Sequence, residues 1–68
     1  MKFPKLNSPM ATQFRLTLIA MRMLHSKSSG DQESIIGYAF DSIVEQLLFR
    51  QHINSAEAYE LRLWFICK

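Results

Sequence analysis

Two histidines, one cysteine and a pair of carboxylates are the residues whose types and spacing could do chemistry in this chain. His25 and His52 fall at the ends of two different predicted helices, and neither has an Asp, Glu or Cys at metal-ligand spacing. Each reads as a partner for the negative end of a helix dipole. Cys67 follows Trp64-Phe65-Ile66, and nothing in the pattern supplies the base and oxyanion site that a nucleophile needs. Asp41 and Glu45 lie one helical turn apart. Paired carboxylates work as acid and base only in a cleft that shifts one pKa, and these two fall opposite the predicted core. Gly30 stands alone, without the glycine-rich pattern of a phosphate loop. The expectation is a non-enzymatic protein with no catalytic residues, no metal ligands and no cofactor.

The bulk numbers bound the rest. The chain has 68 residues, 49% of them hydrophobic and 21% charged, with eight Lys+Arg against six Asp+Glu. That is too apolar and too weakly charged for a disordered chain. A single Cys excludes a disulfide framework. A chain this short buries only about 60% of its unfolded surface, which makes a lone monomer marginal. Charge is unevenly spread. Residues 1–29 carry Lys2, Lys5, Arg15, Arg22 and Lys27 and no acid. Residues 30–68 carry Asp31, Glu33, Asp41, Glu45, Glu57 and Glu60 against Arg50, Arg62 and Lys68. The two halves can attract each other, within one chain or between copies. The apolar run Leu16–Met21 is too short for a secretory core and ends at Arg22. No membrane span is expected, because one needs roughly 18 or more apolar residues. An acid-free amphipathic start also suits a mitochondrial presequence, but its removal would leave too little chain to fold easily. The simpler expectation is a cytoplasmic protein with a free, reduced Cys67.

The elements that position these residues are helices. Residues 1–7 read as an extended arm, because Pro4 biases Phe3 away from helical geometry. Ser8 then Pro9 form a helix start, and the first helix is predicted over about 9–26. Ser26-Lys27-Ser28-Ser29-Gly30 breaks it. Ser29 or Asp31 can cap a second helix running to about Gln51, with Asp31 and Glu33 favourable in its first turn. His52-Ile53 make a tight link. Asn54 and Glu57 form a capping box that opens a third helix from about 55 to the end. One domain over 1–68 is expected. It is all-α, with the second and third helices as a hairpin and the first packed across it.

Successive helical side chains turn by about 100°, and that rotation sorts the faces. Ile36, Phe40, Ile43, Val44 and Leu47 share one face of the second helix, and Ala58, Leu61 and Phe65 form a stripe on the third. Gly37 within the second helix suggests the close approach of another backbone. The first helix has two apolar faces, Met10, Phe14, Leu18 and Met21 on one side and Leu16, Ile19, Ala20 and Met23 on the other. Arg15 and Arg22 form a narrow stripe between them. Ile35, Tyr38 and Phe49 on the second helix, and Tyr59, Leu63 and Ile66 on the third, also lie off the core faces. Three helices cannot cover all of these, and each large side chain left in water forfeits about 1.5–3 kcal/mol. A second chain is expected, in a homodimer or a tight hetero-complex; the homodimer is seamed through Met10, Phe14, Leu18 and Met21, with Ile35, Tyr38, Tyr59 and Ile66 as further contact residues.

Two functional readings follow. The excess of apolar faces, with four Met and five Phe, favours an interaction protein that binds another protein as a regulator or adaptor. The alternative is a small DNA-binding transcriptional regulator, with Lys2, Lys5, Arg15, Arg22 and Lys27 as possible contacts to an anionic partner. A helix-turn-helix would use the His52-Ile53-Asn54 link, but its recognition helix would set Glu57 and Glu60 toward phosphate, where Arg, Lys, Asn or Gln belongs. So few phosphate contacts would also bind weakly and be lost in salt. In size and type the chain is similar to the small helical accessory proteins of phages, plasmids and bacteria, an analogy that carries no function by itself.

Overall fold

Ser8 and Pro9 open the first helix as their chemistry dictates: the Ser8 hydroxyl accepts from the Ala11 N–H at 3.4 Å, and Pro9 sits where a missing N–H costs nothing. The computed structural model describes residues 2–67. Met1 and Lys68, the limits of the expected domain, lie outside the described residues. Four helices follow one another: α1 (Pro9–Gln13), α2 (Arg15–Lys27), α3 (Asp31–Phe49) and α4 (Ser55–Ile66). Among the described residues there is no strand. The all-helical class is as expected, and the three-helix count is not. The predicted first helix is broken at Phe14. There the N–H bonds the Ala11 carbonyl three residues back, at 3.1 Å, and Phe14 takes φ −86° and ψ −2°. That tightened turn separates α1 from α2, and the ladder resumes with Leu18 N–H to Phe14 O at 2.9 Å.

The remaining helix ends divide between expectation and correction. Neither Ser29 nor Asp31 caps α3. Gly30 holds that position at φ 62°, where a side chain is disfavoured, and Asp31 is the first helical residue. The helix also stops short of Gln51. Gln51 itself takes φ 63°, its N–H bonding Leu48 O at 3.0 Å, while His52 N–H bonds Leu47 O at 2.9 Å. This is a Schellman closure with glutamine in the place glycine usually takes. At α4 the capping box forms as expected: Asn54 Oδ1 accepts from Glu57 N–H at 2.8 Å, and Glu57 Oε1 accepts from Asn54 N–H at 3.0 Å.

α3 and α4 form the expected hairpin, and α2 packs against α3. Phe40, Val44 and Leu47 of α3 meet Ala58, Leu61, Trp64 and Phe65 of α4, while Leu18 of α2 and Ile53 of the link complete the buried cluster. Phe40 and Phe65 stack with ring centroids 3.9 Å apart. The predicted core faces of both hairpin helices are therefore the real ones. Gly37 has a different neighbour from the one expected. No backbone approaches it; a β-carbon there would meet only the His25 ring, at 3.8 Å. His25 in turn packs on Phe65, centroids 4.6 Å apart.

The arm is also more than a lead-in. Phe3 docks edge-on against Trp64 at 4.8 Å, Leu6 packs on the core, and Asn7 N–H bonds Glu57 Oε2 at 3.3 Å.

Candidate interaction surface

The break at Phe14 and the packing of α2 sort the first predicted helix into one buried and one open face. Leu18 is fully buried within a single chain, and Phe14 and Met21 are half-buried against the same core. This corrects the expected seam: Leu18 belongs to the core of one chain, because α2 turns that face onto α3. Met10 remains open, at 44% exposure. The outward face of α2 is the opposite one, where Leu16, Ala20, Met23 and Leu24 are exposed. Of the expected contact residues on α3 and α4, Ile35, Tyr38, Tyr59 and Ile66 all stand open to solvent. Phe49, at the end of α3, is 83% exposed.

The cations separate in the same way. Lys2, Lys5, Arg15 and Lys27 are exposed. Arg22 is half-buried and occupied: its guanidinium donates to the Cys67 carbonyl and lies 5.0 Å from the Trp64 ring centre. Arg15 lies 5.8 Å from the Phe3 ring. The predicted basic stripe thus brackets the Phe3–Trp64 pair, and part of its charge serves cation–π contacts. Asp41 and Glu45 face solvent, as the helical spacing implies, and Arg62 of α4 reaches both, at 2.9 and 2.6 Å. The Asp41 hydrogen bond chiefly raises the Arg62 pKa, partial burial opposes it, and Glu45 adds to the rise.

Among several hollows in the surface, two grooves bear on binding. One, of about 540 Å³, runs between the end of α2 and the end of α4, and both Arg22 and Glu33 line it. The other, of about 390 Å³, lies between α1 and the second half of α3. Met10, Phe14, Ile43 and Leu47 form its apolar wall, and Arg50 and His52 stand at its end. No carboxylate lines it. Sequence reasoning missed this groove, the docked arm and the Arg62 clip. Phe3 and Leu6 were the available signal for the arm, two large apolar side chains between Lys2, Lys5 and Asn7.

Among the described residues, no group of three or more His, Cys, Asp or Glu side chains is placed to hold a metal ion. No helix among them is long and apolar enough to cross a membrane. Comparison with known proteins supplies no relative: no family model, no curated protein and no solved structure matches the chain.

Proposed function

We propose that this chain is a small non-enzymatic interaction protein, a regulator or adaptor that acts by binding protein, and that it pairs with a second copy of itself. The observation that carries the reading is surface that the fold leaves uncovered. A folded monomer of 8.0 kDa exposes about 4,450 Å² on average, whereas this chain exposes 4982 Å². Its radius of gyration is 11.4 Å, close to the about 11 Å of a compact chain of its length. The excess therefore does not come from a sprawling conformation. Large apolar side chains stand open on the surface, among them Leu16, Ile35, Tyr38, Phe49 and Ile66. Pairing the outer face of α2 with the acidic α3–α4 side of a second copy would cover Leu16 and Met23 and bring the exposed Arg15 and Lys27 toward unlike charge. A two-fold axis would repeat that contact on both sides.

Light scattering at micromolar concentration tests the self-association arm. A dimer mass is expected, and Leu16→Glu with Met23→Glu should return a helical monomer. A wild-type monomer with cooperative unfolding defeats it. A pull-down from host lysate beside a gel-shift in moderate salt tests the partner class. Capture of a protein that Leu16→Glu releases supports the reading. Tight DNA binding abolished by Arg15→Gln and Arg22→Gln would replace it with the regulator of transcription, against which the acidic surface of α3 and α4 now weighs.

A further inference from the structure

We propose that the groove between α1 and α3 is a docking site for an acidic amphipathic helix of a partner protein, which seats a bulky apolar side chain on Phe14 and Ile43 and sets a carboxylate beside Arg50. The proposal deepens the interaction reading and rests on it.

The groove has the two features that such an occupant needs. Its apolar wall comes from two separate elements, because the tightened turn at Phe14 separates α1 from α2 and leaves a space of about 390 Å³ facing α3. Leu47 forms a buried floor, Phe14 and Ile43 are half-buried, and Met10 stands at the rim as an adaptable lip. That volume holds one or two large side chains, the anchors with which a helix lies in a groove at i, i+3 or i+4 spacing. The charged lining is of one kind. Among the described residues, Arg50 and His52 are its only ionisable groups. Arg62 makes both ion pairs found among the described residues, and Arg50 has no carboxylate partner among them. The α1 side adds no acid either, because residues 1–29 contain none. Unlike charge is what the groove lacks and what an occupant must bring. The groove between the ends of α2 and α4 is lined by Glu33 as well as Arg22 and has no such bias, and the shallow hollow beside the arm, lined by Lys5 and Arg15, has no buried floor of core residues.

The test uses the full-length, isotope-labelled protein and a short amidated peptide of Leu, Glu and Ala patterned as one amphipathic helix. A Lys-for-Glu version and a Leu-to-Ala version serve as controls. The Leu/Glu peptide should shift the backbone amides of Ser42, Gln46, Arg50 and His52, and both controls should bind at least about tenfold more weakly. Arg50→Glu should reverse the order of the Glu and Lys peptides. Because Ser42 is exposed and lines the groove, Ser42→Phe should plug the groove and abolish binding while leaving the core untouched. Equal binding of both charge types, shifts confined to Leu16, Ala20 and Met23, or no binding would each overturn the proposal. So would n-octanoate giving the same shifts where the peptide gives none, since the occupant would then be a small amphiphile. A protein that captures a partner through Leu16 and Met23 yet ignores the peptide refutes the groove and leaves the interaction reading standing. A lysate that yields no protein partner, with DNA bound through Arg15 and Arg22, refutes the reading itself.

Discussion

Gln51 holds a backbone conformation that costs an L-residue about 1–2 kcal/mol, at φ 63°. Glycine pays no such steric penalty but loses more freedom on folding. Gln51→Gly should therefore raise stability by about 0.5–1 kcal/mol, the left-handed penalty less glycine's entropic cost, read as a higher denaturant midpoint with an unchanged slope. An unchanged or lower midpoint would mean that the glutamine side chain contributes something its geometry does not reveal. Asp41 and Glu45 give a different lesson. Their place on the solvent face could be read from helical spacing alone, but Arg62 between them could not. The clip depends on how α3 and α4 are aligned along the hairpin, and no single-helix wheel contains that alignment. Since all three side chains are well exposed, Asp41→Ala or Glu45→Ala should cost no more than about 1 kcal/mol each by chemical denaturation.

At the scale of helices, Gly37 is the position to alter. A β-carbon there meets the His25 ring at ordinary contact distance, and alanine in a helix interior is favoured over glycine by about 1 kcal/mol. Gly37→Ala should raise the thermal midpoint, and a fall would point to a backbone from another chain against that spot. What could be read of the elements follows the same division. Caps at Ser8 and Asn54 could be read because each uses a side chain and its immediate neighbours. The faces of α3 and α4 could be read because their apolar residues keep a single period. The break at Phe14 could not, since moving one hydrogen bond from the fourth residue back to the third leaves the apolar spacing intact. Nor could the choice between the two apolar faces of α2. Both faces fit a core, and only the packing of α2 on α3 selects the one with Leu18.

For the whole molecule, that selection makes a paired prediction. Leu18→Asp places an unpaired carboxylate in the dry core and costs several kcal/mol, comparable with the entire stability of a chain this small. Circular dichroism should report an unfolded protein. Leu16→Asp, two residues earlier on the open face, should keep full helicity and alter only the mass or the partner bound. Equal damage from both would mean that the open face is not open in solution. The docked arm carries a consequence of another kind. Phe3 leaves the ribosome long before Trp64, and the Asn7 N–H waits in the same way for Glu57. Before α4 has been translated, α2 can already lay Leu18 on α3, but Phe40 lacks Phe65 and the arm lacks Trp64, and contacts so distant along the chain form slowly. Completion of the core is therefore a late event in synthesis, and the arm stays undocked until the last helix is made.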